Sequence, residues 1–148
     1  MEGGILQGSA VDIFLRMFAV AKPSKIAVDV EVLHWSYEYC LAQTQENNLL
    51  FVATHTLARE QLFKWVGPLP PREISVIDKK SKNLHPKSLQ ELNNFRIAAI
   101  REDIGELLLK TKSIDLNSIF STRSSENAAK NLTHGRVDLG AYEENVAM

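Results

Sequence analysis

The stretch from Leu49 to Leu69 holds the side chains best suited to chemistry. Five apolar residues, Leu49 to Ala53, run into Thr54, His55 and Thr56, and Arg59 follows three positions later. A guanidinium carries a planar fork of donors that matches a carboxylate with two parallel hydrogen bonds. Hydroxyls at Thr54 and Thr56 add compact polar groups beside it. On residue types alone, two readings stand. Either this is a corner that grips an anion, or it is a surface arginine over a core of Phe63, Trp65 and Leu69. Bond-breaking machinery is harder to find. The chain has no G-x-G-x-x-G, no Walker loop, no G-x-S-x-G and no H-E-x-x-H. Its histidines, His34, His55, His85 and His134, lack ligand-like spacing, and Cys40 stands alone. No metal site, cofactor or nucleophile–base pair is expected, and Cys40 reads as a small buried apolar group.

The elements that would position Arg59 follow from periodicity. Ala10, Phe14, Met17, Phe18 and Ala21 recur at helical spacing, so residues 10–21 read as an amphipathic helix. Residues 25–33 alternate apolar and polar and read as a strand. Residues 36–46 read as a helix, and Leu49 to Ala53 as a short strand buried on both faces. Three of the five prolines fall within positions 68–71 and break regular structure. Beyond them come an extended segment at 73–78 and a charged loop at 79–83. A short helix at 86–92, a strand at 95–100 and a helix at 103–112 follow. The last of these has acids at its start and lysines at its end, as the macrodipole favours. A strand at 114–120, a helix at 123–134 stopped by Gly135, a strand at 137–141 and a helix opening at Tyr142 complete the reading.

Alternating strands and helices mean an α/β fold with mostly parallel sheet. Two such runs, joined by the proline-bearing segment, suggest two lobes. Ligands in open α/β sheets bind beyond the carboxyl ends of the strands, so the natural site is the cleft between the lobes. Composition narrows the function classes. The 148 residues are 45% apolar and 24% charged, which excludes an intrinsically disordered chain. Seventeen basic and eighteen acidic residues give a net charge of -1 with no basic cluster, so no nucleic-acid partner is expected. The longest apolar runs are five residues, against the roughly 20 of a membrane-spanning helix. Met1-Glu2-Gly3-Gly4 does not read as a secretory signal.

Five segments in order resemble family 3 of the bacterial extracellular solute-binding proteins, the substrate-binding subunits of polar amino-acid ABC transporters. Thr56 to Leu69 is similar to the T-x-x-R-E-x-x-F-x-W-x-G-P-L pattern of one subgroup. Gly8 to Ile13 resembles the opening of the first lobe's helix, and Trp35 stands where the subgroup carries a tryptophan. Ser88 to Leu92 resembles the S-L-x-D-L helix of the second lobe, and Gly135 to Asp138 its G-R-V-D turn.

The resemblance implies a two-lobed, periplasmic-binding-protein-like (type II) α/β fold that closes on a ligand. It implies lobes at 1–77 and 82–148 with the crossing at 78–81. Arg59 would bind the ligand's α-carboxylate with Thr54 assisting, Glu143 would bind the α-amino group, and Trp35 and Thr56 would complete the site. The implied function is non-enzymatic: a periplasmic monomer that delivers a polar amino acid or similar zwitterion to an ABC transporter permease. Two alternatives stand beside it, a ligand-sensing input domain of a signalling receptor and a degenerate fragment without binding activity. The sequence departs from the family in length, at Glu102-Asp103, and at His55 and near Tyr37, where the subgroup often has arginine. Family members are longer, so a first strand and the final return to the first lobe are expected to be missing. Glu102-Asp103 also stands where the second lobe usually has Gly-Ser/Thr at a helix N-terminus, and two carboxylates there would repel an anion.

Overall fold

The computed structural model describes residues 9–21, 30–67 and 73–143. Its organising element is one four-stranded sheet, ordered β1-β4-β2-β3, from β1 (Ile74–Asp78), β2 (Ile97–Ile100), β3 (Ile119–Thr122) and β4 (Leu139–Glu143). β2 is parallel to β3 and to β4, whereas β1 runs antiparallel to β4, with Ile74 opposite Glu143 and Asp78 opposite Leu139. The extended segment read before the charged loop is therefore a strand of the same sheet as the later elements.

Helices cover both faces of this sheet. The sequence Ile97-Ala98-Ala99-Ile100 is buried at every position, as a strand sandwiched between two layers must be. Ile97 and Ala99 pack with Leu109 of α3 (Ile104–Thr111), Ile114, Leu139 and Ala141. Ala98 faces the other way, against Leu132 of α4 (Ser125–Thr133) and Val137. The helix α4 ends as expected at Gly135, which takes φ +71, a conformation that costs glycine little. The G-R-V-D turn then has a structural job. Val137 is fully buried, and the Asp138 carboxylate accepts from the Arg96 backbone N–H at 3.1 Å and from Lys82 Nζ at 2.8 Å. Asp78 similarly accepts from the Leu84 N–H at 2.6 Å, so both ends of the charged loop are fastened to the sheet.

The earlier region is organised differently. It contains α1 (Ser9–Ala21), α2 (Trp35–Thr44) and a 3₁₀ helix over Leu57–Leu62. Phe14 is buried and stacks on Phe51 at 4.9 Å, but Met17 of the same predicted stripe is half exposed.

Several expectations need correction. Leu49 to Ala53 is not a strand: Leu49 is exposed, and Val52 has φ 67, which a β-branched residue in a strand cannot take. A short apolar run does not by itself supply a partner strand, and among the described residues none lies beside this one. The strand expected at 25–33 falls mainly on residues outside those described, and residues 30–33 form no strand. Tyr142 and Glu143 extend β4 and do not open a helix; residues 144–148 lie outside the described part. Cys40 is exposed, not buried, because α2 has no buried residue. No helix among the described residues is long and apolar enough to cross a membrane.

Candidate functional site

The parallel strands β2, β3 and β4 point their carboxyl ends to one edge. Asp103 and Ile104 follow β2, Arg123 and Ser124 follow β3, and Glu143 closes β4. All five line a cleft of about 1120 Å³. This is where an open α/β sheet presents ligand-binding groups, because the loops and helix starts beyond the strands converge there. The opposite wall comes from the earlier region and includes Trp35, Thr54, His55 and Thr56.

Arg59 stands just behind that wall. The 3₁₀ turn carries it inward until it is only 4% exposed. Its guanidinium carbon lies 5.5 Å from the Trp35 ring centroid and 5.1 Å from that of Tyr39, within cation–π range. Trp35 and Tyr39 sit four residues apart on α2, so one helix face supplies both rings, stacked at 5.8 Å. Arg59 Nη1 donates to the Thr54 carbonyl at 3.3 Å, and Nη2 donates to the Glu102 carbonyl at 2.5 Å. Arg59 lines a smaller cavity of about 180 Å³ with Tyr39, Glu102, Glu106 and Lys110.

The acidic corner at α3 is built by self-capping. Asp103 accepts from the Ile104 N–H at 2.7 Å, and Glu106 accepts from the Glu102 N–H at 3.0 Å. The chain's own carboxylates thus sit where an anion would otherwise meet helix N–H groups. Burial pushes the Asp103 carboxyl above its usual range. The Ile104 hydrogen bond and the nearby Arg59 charge oppose that shift, and the Glu143 charge adds to it. Asp103 therefore senses both Arg59 and Glu143. Glu106 is 2% exposed. Its burial favours the neutral form, but hydrogen bonds from Lys110, Ser121 and the Glu102 N–H outweigh this and lower its pKa.

Of the five residues singled out from sequence, Trp35, Thr54, Thr56 and Glu143 line the large cleft; Arg59 does not, and lines the smaller cavity instead. Thr54 is exposed and meets Arg59 through its carbonyl. The Oγ1 of Thr56 is buried with no hydrogen-bond partner among the described residues. His55 pairs with Glu60 at 2.7 Å and packs edge-on against Trp65. Sequence reasoning missed Tyr39 and Arg123. The i,i+4 spacing of Trp35 and Tyr39 could have revealed the first; nothing in the local pattern marks the second. No group of three or more His, Cys, Asp or Glu among the described residues is arranged to hold a metal ion.

No protein-family model matches the chain, and neither does any curated protein. Solved structures do. The arginine-, lysine-, histidine-binding protein ArtJ from Geobacillus stearothermophilus superposes with a TM-score of 0.86 at 18% identity, covering 99% of this chain and 62% of that one. The amino acid ABC transporter substrate-binding protein AbpA from Streptococcus pneumoniae, bound to L-arginine, gives 0.82 at 19%, covering 99% and 61%. An ancestral amino acid-binding protein, a precursor of cyclohexadienyl dehydratase, gives 0.78 at 20%, covering 99% and 65%. All three are named as binding proteins, the last as the forerunner of an enzyme. The chain spans less than two thirds of the length of each. Over that span it carries the α/β fold of the two-lobed amino-acid-binding proteins of ABC transporters.

Proposed function

We propose that this chain is a solute-binding component that holds a polar amino acid or similar small zwitterion without transforming it. The observation that carries this reading is the convergence of Trp35, Thr54 and Thr56 from one region with Asp103 and Glu143 from the other on a single cleft. A zwitterion needs one cation and one anion across a dry cleft, because burying either of its charges unpaired is costly. Glu143 and Asp103 meet the ammonium. Arg59 meets the carboxylate, exchanging its present carbonyl partners for it, with Thr54 beside it. Thr56 Oγ1 gains the hydrogen bond it lacks, and the Trp35 ring forms an apolar wall. The cleft closes by a hinge between the region that ends at Gly67 and the sheet that begins at Ile74, since β1 is paired along its length with β4 and moves with it and not with a lobe at 1–77. The partner is an ABC transporter permease, the working form is a monomer, and the working compartment is the periplasm or cell exterior. Thermal-shift measurements with each proteinogenic amino acid test the proposal. A midpoint rise with one or more polar amino acids, and none with apolar ones, is expected. A flat response across the whole panel overturns it.

A further inference from the structure

The fork of Arg59 is already filled. Its Nη2 donates to the Glu102 carbonyl at 2.5 Å, and Trp35 Nε1 donates to the same oxygen at 2.9 Å. One carbonyl with two lone pairs thus takes both donors from the opposite region. Glu102 holds this place at φ 62, a left-handed conformation that few non-glycine residues adopt. Such a backbone persists only when its surroundings fix it. Here the Glu102 N–H donates to Glu106 Oε2 at 3.0 Å. The Glu106 carboxylate is in turn buried, bonded by Ser121 Oγ and paired with Lys110 Nζ at 2.8 Å.

We infer that Glu106 is a positioning residue: through the Glu102 N–H it seats the Glu102 carbonyl in the Arg59 fork, where that carbonyl competes with the carboxylate of an incoming ligand. This rests on the amino-acid-binding reading. A ligand with a carboxylate must displace the carbonyl before Arg59 can grip it. A ligand that lacks the carboxylate leaves the Glu102–Arg59 contact in place. Glu106 therefore sets how strongly the cleft discriminates between the two, although it does not line that cleft.

L-arginine and agmatine, its decarboxylated counterpart, are the probes. Both are titrated by calorimetry into wild type, Glu106→Gln and Ser121→Ala. The amide of Glu106→Gln keeps the shape of the side chain but loses one acceptor oxygen. Ser121→Ala loosens the carboxylate without altering α3. The ratio of L-arginine to agmatine affinity is expected to rise about tenfold in Glu106→Gln, the scale of one charge-assisted hydrogen bond, and less in Ser121→Ala. Agmatine affinity itself stays unchanged. In the ligand-free variant, the Trp35 indole N–H, one of only two such signals, moves upfield and exchanges faster. A purely structural role would weaken both probes alike and leave the ratio constant. That result, with both probes binding, overturns the inference and leaves the solute-binding reading intact. If neither probe binds any of the three proteins, the reading of a cleft for amino acids such as arginine falls, and the competition falls with it.

Discussion

The described residues up to Gly67 and those from Glu73 onward both contribute a wall to the cleft, yet they are packed on different terms. Every buried apolar side chain among the described residues except Phe14 lies at Leu92 or beyond. The later region has a sheet covered on both faces, with Ile97, Leu139 and Val137 almost wholly removed from water. The earlier region exposes Val20 by 82% and Leu49 by 57%, and its most completely buried side chain among the described residues is the charged Arg59. One wall is therefore fixed by hydrophobic packing, and the other is held by rings, carbonyls and a guanidinium. Polar contacts of that kind exchange with a ligand at little net cost, whereas a close-packed core does not rearrange by small steps.

The largest effect that would sharpen this contrast is a core truncation. Ile97→Ala should cost about 2–5 kcal/mol, from lost burial and the cavity left behind, and Met17→Ala on the half-exposed stripe of α1 about 1 kcal/mol. Urea unfolding of the two variants measures both, and equal costs would erase the distinction. Gly105→Ala comes next. Its Cβ would stand 3.0 Å from the Ala141 carbonyl oxygen, so α3 must move away from β4 at a cost of about 1–3 kcal/mol. A rise in stability in the same assay would show that this packing is loose.

Asp138 gives a smaller, pH-dependent effect. The Lys82 hydrogen bond, helped by the Arg96 N–H and guanidinium and opposed by desolvation, lowers its pKa from 3.8 to about 2. A folded-state value below the unfolded one stabilises the fold fully above about pH 4, and the contribution is lost as pH falls through about 2. After allowance for solvent screening, Asp138→Asn should remove about 1–2 kcal/mol at pH 7 and flatten the acid limb of the stability profile. Parallel profiles for variant and wild type would contradict this. At the small end, Val20→Ser on α1 should shift stability by about 0.5 kcal/mol or less. A larger loss would mean that this face is covered.

The two regions also differ in how much the sequence disclosed. In the later region β2, α3, α4 and β4 were readable within a few residues, because periodicity, capping residues and Gly135 agreed with the packing. The strand read at 114–120, by contrast, lies at Ile119–Thr122 behind a 3₁₀ turn, and the helix read at 86–92 is a 3₁₀ turn at Gln90–Asn94. The strand at Leu49 to Ala53 was misread because an apolar run does not reveal whether a neighbouring strand exists to pair with it. Arg59 stood out in the sequence by residue type and Glu143 only through the family resemblance; Glu143 lines the cleft and Arg59 the smaller cavity. The partners of Arg59 were not readable, since a backbone carbonyl such as that of Glu102 carries no sequence signal. Glu102-Asp103 stood out as a departure, but its physical form, a helix start capped by its own carboxylates, depends on a backbone geometry at Glu102 that residue types do not reveal.

On the proposed reading, the carboxylates at the sheet edge receive a ligand's ammonium. Glu143→Gln removes that charge with almost no change of shape, at the end of a strand whose pairing with β1 is made by the backbone. Calorimetric titration of L-arginine into wild type and Glu143→Gln is the most direct test. Binding to wild type and a loss of roughly tenfold to a hundredfold in the variant are expected, the range of a charge-assisted hydrogen bond. Equal affinity for both proteins would place the ammonium elsewhere and contradict it.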